Sequence, residues 1–134
     1  MIVSTRGRYA LRVMIDLAEH PDQGYIPLRE IAQRQDISEK YLESSLKLLV
    51  KEKFLIGLRG KGGGYQLSRP PEAYPVGEIL RCTEGSLAPV TCLEESDYHC
   101  PRAGYCRTLP MWKKLDKLVA DFFDGITIAD LMEK

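Results

Sequence analysis

Seven residues, Arg59-Gly60-Lys61-Gly62-Gly63-Gly64-Tyr65, restrict the possible folds of this chain more than any other stretch. A run with three consecutive glycines does not continue a helix. It gives the backbone access to positive φ, which a tight turn between antiparallel strands requires. The short apolar segments on either side, 56–58 and 65–67, predict two strands, so the glycines predict the tip of a hairpin. Arg59 and Lys61 then stand at that tip. A tip nearly free of side chains approaches another surface closely, and with two cations that surface is expected to be a nucleic-acid backbone or a minor groove.

The residues ahead of the hairpin carry helical periodicity. Ala10, Leu11, Met14, Ile15, Leu17 and Ala18 predict a helix over 5–20, ended by Pro21 and Gly24. Pro27 is placed to initiate a brief second helix carrying Leu28, Ile31 and Ala32, with residues 25–26 extended before it. Gln35-Asp36-Ile37 predicts a tight turn, and Ser38 is an N-cap for a third helix reaching about residue 53. Its inward stripe is Leu42, Leu46, Leu49 and Val50. Lys40, Ser44, Lys47 and Lys51 share the opposite face, about 17 Å long at 1.5 Å per residue. A lysine face alone is ordinary solvated surface. The order helix, short helix, tight turn, capped basic helix, basic glycine hairpin is instead the plan of a helix-turn-helix with a wing.

Charge follows the same division. Residues 1–69 hold 12 Lys and Arg against 8 Asp and Glu, and residues 70–134 hold 7 against 11, so a net charge of zero conceals a basic front and an acidic back. No apolar run reaches the eighteen residues a membrane span needs, and the first residues lack the apolar core of a signal peptide, which predicts a cytoplasmic protein without a membrane partner. No nucleophile–base constellation and no paired carboxylates at active-site spacing are present, so an enzyme is not expected.

Behind the hairpin, Ser68-Arg69-Pro70-Pro71-Glu72 breaks regular structure and residues 76–82 predict a short apolar helix. A polar stretch, 84–106, holds three of the four cysteines. Cys82 ends an apolar run and is assigned to the core; Cys92, Cys100 and Cys106 lie in an irregular loop, unlike packing cysteines. Soft thiolates gathered on one loop of a cytoplasmic protein favour an iron–sulfur cluster or zinc over a disulfide. Three are one short of the usual four ligands. His99 adjoins Cys100 and would bind the same metal only with strained local geometry, while Glu94, Glu95 and Asp97 are expected to be solvated. Redox-sensitive thiols without a metal are the alternative. A long helix over 109–123 follows, with Met111, Trp112, Leu115, Leu118, Val119, Phe122 and Phe123 covering more than one stripe. One side can pack on the front of the molecule; the rest predicts a second copy of the chain, the alternative being a wholly intramolecular core helix. A short helix over 126–132 ends the chain. The expected organisation is a mainly α chain with a small β-hairpin: a winged helix-turn-helix domain at 1–82, a cysteine-rich sensor loop at 83–107, and a dimerisation helix with a short terminal helix at 108–134.

Taken together, these residues resemble the IscR-like family of winged-helix regulators, the Rrf2 group that also holds NsrR and CymR. The resemblance runs nearly end to end: Ser4-Thr5-Arg6-Gly7-Arg8-Tyr9-Ala10, Leu28-Arg29-Glu30-Ile31-Ala32, Ile37-Ser38-Glu39-Lys40-Tyr41-Leu42-Glu43, the glycine hairpin, Val76-Gly77-Glu78-Ile79 and Ile126-Thr127-Ile128-Ala129-Asp130-Leu131. It implies a sequence-specific DNA-binding transcriptional regulator of double-stranded DNA with a palindromic operator, a homodimer whose long C-terminal helices cross, with a wing of each subunit in a minor groove. It further implies that Ser38, Lys40, Tyr41 and Glu43 face the major groove, that Arg59 enters the minor groove, and that Gly60 lies close to the DNA backbone. Lys47 and Lys61 complete the expected DNA-binding set. Glu43 near phosphates is repulsive unless it accepts from a cytosine amino group or opposes unwanted sequences. Cys92, Cys100 and Cys106 match the three cysteine ligands of the cluster-binding branches, implying a sensor of iron–sulfur or redox state, with a 2Fe-2S cluster ahead of 4Fe-4S. The alternative is a cluster-free regulator of the same fold that senses by thiol oxidation or through a protein partner. Three departures leave the fourth ligand open: Leu109 stands where IscR proper has a histidine, Arg8 stands where the nitric-oxide-sensing branch has an aspartate, and the first gap between cysteines is two residues longer than in IscR proper.

Overall fold

In a computed structural model describing residues 3–94 and 100–133, the chain forms six α-helices and one two-stranded sheet among those residues. The helices are α1 (Thr5–Ala18), α2 (Leu28–Gln35), α3 (Glu39–Lys51), α4 (Val76–Glu84), α5 (Leu109–Asp124) and α6 (Ile128–Leu131). Ser4 caps α1 by accepting from the Gly7 N–H, and a 3-10 turn at Pro21–Gln23 follows its end at Ala18. The mainly helical fold with one hairpin is the one expected from the sequence.

Element ends follow local chemistry. Ser38 caps α3 as expected, its hydroxyl accepting from the Tyr41 N–H at 3.2 Å. The third helix stops at Lys51, short of the expected residue 53. Lys53 takes φ +66°, the Phe54 N–H bonds the Leu49 carbonyl and the Lys53 N–H bonds the Val50 carbonyl. That pattern is a Schellman closure with lysine where glycine is usual. Asp36 ends α2 the same way, with φ +53° and the Ile37 N–H on the Ala32 carbonyl, which makes the turn of the helix-turn-helix. The fourth helix continues to Glu84, past the boundary expected at 82. Thr127 and Asp130 form a capping box that starts α6 at Ile128 rather than at 126.

One apolar core joins the front. Ala10, Val13, Met14 and Leu17 of α1 meet Ile31 of α2, Leu42, Leu46 and Leu49 of α3, Ile79 of α4 and Ile128 of α6, all buried. Each fully buried Leu or Ile contributes about 1.5–3 kcal/mol relative to exposure. Val50, expected on the inward stripe, is only half-buried, and Ser45 is buried instead. Cys82 packs half-buried against this core, and burial pushes its thiol up. A smaller cluster of Val76, Leu80 and Leu87 receives Val119 and Phe123 from α5. Arg81 of α4 grips Asp124 at the end of α5 with two hydrogen bonds, 2.8 and 3.0 Å, and this guanidinium holds the Asp124 carboxyl below the usual carboxylate range. No helix among the described residues is long and apolar enough to cross a membrane.

Candidate nucleic-acid interface

The hairpin pairs β1 (Leu55–Leu58) with β2 (Gly64–Leu67) in antiparallel register, Leu55 opposite Leu67 and Leu58 opposite Gly64. Its glycines are not interchangeable. Gly60 and Gly62 have φ +89° and +79° with open space around them, so they serve the turn through conformation alone. At Gly64 a side chain would strike the backbone of Ile26 and Pro27. The close approach expected of this run is therefore partly internal: Ile26 and Tyr65 exchange both backbone hydrogen bonds at 2.9 Å, adding a one-residue third strand to the wing. Opposite Tyr65 lies Gly57, where a side chain would meet both the Tyr65 ring and Val50 of α3.

Between α3 and the wing lies an open groove of about 550 Å³, lined by Glu43, Lys47, Arg59, Gly60 and Tyr65 among others. Four of the residues singled out from the sequence are thus brought to one place. Lys47 and Glu43 pair at 3.2 Å on the exposed face of α3, so the carboxylate that would repel phosphates already has a cation beside it. Ser38, Lys40 and Tyr41 are exposed at the start of α3, and Lys61 is exposed in the wing turn. Tyr41 is 66% exposed, and its ring stands edge-on to Tyr9 at 6.3 Å. Arg12 lies 5.6 Å from the Tyr9 ring centre and also bonds the end of α2 through the Gln35 carbonyl. Tyr9 and Arg12 carry no sequence signal that places them on this face, whereas Tyr65 was already part of the glycine hairpin motif.

The helix-turn-helix is held from beneath by Asp16. This buried carboxylate accepts from Arg34 at 2.7 and 3.0 Å and from Gln35 at 2.9 Å, and the bonded carboxylate raises the Arg34 pKa. An acid on the apolar stripe of α1, with two basic or amide side chains on α2, was the available but unread sign of it.

The cysteine loop is built differently. Cys92 sits in a 3-10 turn at Thr91–Leu93, and Cys92, Cys100 and Cys106 are all half-buried. The Thr108 hydroxyl, 3.4 Å from the Cys106 sulfur, and then the N–H groups of Thr108 and Leu109 lower the pKa of that thiol. The donors are chemically suited to a soft metal centre. Yet among the described residues no three Cys, His, Asp or Glu side chains come together closely enough to hold a metal ion. As arranged here, Cys92, Cys100 and Cys106 do not fit a preformed cluster site. Glu94 is exposed, as expected, while Glu95, Asp97 and His99 lie outside the described residues.

Comparison with known proteins agrees with the fold. Residues 3–134 match the Rrf2 family, described as iron-dependent transcriptional regulators. The protein Rrf2 of Nitratidesulfovibrio vulgaris is 39% identical over 132 residues, covering 98% of this chain and 87% of the relative. The structure of CymR, the global cysteine regulator of B. subtilis, superposes with a TM-score of 0.78 at 34% identity, covering 98% of this chain and 95% of that one. IscR of T. potens superposes with a TM-score of 0.75 at 36% identity, covering 98% and 85%. A winged helix-turn-helix matched over nearly its whole length places this chain in the Rrf2 family of transcriptional regulators.

Proposed function

We propose that the chain acts as a homodimer that reads a palindromic site in double-stranded DNA and whose affinity is adjusted by the cysteine loop. The observation that carries the DNA half is the groove between α3 and the wing, which Lys47 and Arg59 both line. Ser38, Lys40, Tyr41 and Glu43 are assigned to the major groove, and Arg59, Gly60 and Lys61 to the adjacent minor groove and backbone. Pairing is supported by α5. Met111, Leu115, Leu118 and Phe122 repeat at spacings of four, three and four, and all are exposed, Leu118 at 68% and Phe122 at 62%. A stripe of that period on one helix suits a second copy crossing it. The division into a DNA-binding unit at 1–82, a sensor loop at 83–107 and a dimerisation segment at 108–134 follows from the same reading.

For the sensor, we favour an iron–sulfur cluster, 2Fe-2S ahead of 4Fe-4S, with Cys92, Cys100 and Cys106 as its protein thiolates. Such a group would supply reactivity toward oxidants and nitric oxide and a dependence on iron supply. The loop would have to draw the three thiols together to hold it. The second reading, sensing by thiol oxidation, is favoured by the lowered Cys106 pKa and by the likeness to a cysteine regulator. Anaerobic reconstitution followed by iron and sulfide analysis separates the two. Bound iron and sulfide lost on substitution of any one of the three cysteines supports the cluster; a chain that takes up neither leaves thiol oxidation. DNA binding is tested by mobility shift across a salt series, in which affinity is expected to fall steeply as counterion release is suppressed. Indifference to every duplex at low ionic strength would refute the DNA reading.

A further inference from the structure

The phenol of Tyr74 lies at the root of the wing and is completely buried. Its oxygen donates to the Phe54 carbonyl at 2.7 Å and accepts from the N–H groups of Ser68 and Arg69, both at 2.9 Å. Phe54 precedes β1 and Ser68 follows β2, so one oxygen joins the two arms of the hairpin where they leave the body. Around it, the Arg69 guanidinium lies 5.2 Å from the Phe54 ring centre and 5.1 Å from that of Tyr74, and it meets Glu78 of α4 at 3.3 Å. The backbone of the same tyrosine faces the opposite way. Its carbonyl accepts from the Ile128 N–H at 3.0 Å, and the next bond, Val76 N–H to the Ile126 carbonyl, is 2.7 Å. Those partners directly follow α5, whose last turn is held by Arg81.

We infer that Tyr74 is a positioning residue for the wing, fixing where Arg59 points by tying both hairpin arms to the segment that follows α5. This inference rests on the reading of Arg59 as a DNA contact. Nothing in the arrangement brings Tyr74 itself to a duplex, since it has no exposed surface. Its effect on binding therefore passes through the residues it holds. The alternative is a purely structural tyrosine whose loss weakens the fold without re-aiming the wing.

Tyr74→Phe separates the two, because it removes one oxygen and keeps the ring that packs on Phe54 and Arg69. The test uses the full chain, a duplex enriched by the wild type from a random-sequence pool, and an unrelated duplex of equal length. Tyr74→Phe is expected to weaken binding to the enriched duplex about fivefold to tenfold and to leave the unrelated duplex within about twofold. In the double variant with Arg59→Ala, the Tyr74→Phe penalty should nearly vanish, whereas combined with Lys47→Ala it should persist in full. A Tyr74→Phe chain that binds like the wild type, or a penalty that multiplies undiminished onto Arg59→Ala, overturns the inference while leaving the DNA reading intact. Amide exchange gives a second readout that needs no DNA: Ser68 and Arg69 should exchange about tenfold faster in Tyr74→Phe, with α2 and α3 unaffected. Unchanged exchange at those two amides would overturn the clamp. A wild type that enriches no duplex overturns the DNA reading and the inference built on it.

Discussion

The front of the molecule and its last long helix use their side chains in opposite ways. On α1, Ala10, Val13 and Met14 have no exposed surface, and the one acid on that face, Asp16, meets Arg34 and Gln35 through three hydrogen bonds. On α5, sixteen residues long, no residue is buried, and Met111, Leu115, Leu118 and Phe122 are left open. A single chain completes the first region by itself. The second has an amphipathic pattern in which Val119 and Phe123 pack on the cluster of Val76, Leu80 and Leu87. If α5 pairs with a second copy as proposed, stability of the front and pairing rest on different residues, and substitutions should remove one without the other.

The sharpest way to break the front is Asp16→Ala, which leaves Arg34 and Gln35 without their buried acceptor. Because Arg34 keeps some access to water, the cost should be about 2–4 kcal/mol rather than that of a fully enclosed pair, read as a lowered urea midpoint. A loss below about 1 kcal/mol would show that Asp16 does not anchor the helix-turn-helix. The matching change in the back is Leu118→Glu. It should halve the mass seen in sedimentation and weaken binding to a palindromic duplex about a hundredfold, since two linked heads gain avidity that one lacks. The urea midpoint of the body should hardly move, and an unaltered mass would remove the pairing role of this face.

Arg59→Ala should cost about 1–3 kcal/mol in specific binding with little effect on stability, because its side chain is exposed. The cysteines sharpen the contrast by their pH profiles. Thiolate is the reactive form, so the lowered pKa of Cys106 should let it alkylate at lower pH than an ordinary thiol, and the raised pKa of Cys82 should delay it. Mass spectrometry of the alkylated chain should find Cys106 modified before Cys82 near neutral pH, and equal modification of the two would show that their environments do not set their reactivity. Thr108→Val should move the Cys106 profile upward. The smallest effect is expected at Lys53, where glycine would relieve the left-handed backbone and raise stability by about 0.5 kcal/mol in the same urea titration.

Local signals made the helix-turn-helix and wing readable in advance. Apolar spacing outlined α1 and α3, Ser38 marked its own cap, and the glycine run required a turn. What periodicity does not carry is which distant residues share a bond. Asp16 meets Arg34 eighteen positions away, and Tyr74 meets Phe54 twenty positions away. Ser45, a polar residue inside α3, is buried because its place on the inner face outweighs its polarity. The lining of the groove was readable where charge and glycine mark it, at Lys47, Arg59 and Gly60. It was not readable at Tyr9 and Arg12, whose place depends on how α1 lies against α3. The cysteine spacing pointed to a metal, but spacing alone does not fix how close three thiols come.

The backbone pairing of Ile26 with Tyr65, with no room for a side chain at Gly64, has a consequence for how targets are chosen. Residue 26 leads directly into α2, so two backbone hydrogen bonds tie the wing to the start of the helix-turn-helix. A spacing held in that way would leave a bound duplex, rather than the protein, to deform. Base steps that no side chain touches should then still influence affinity, through how readily they kink.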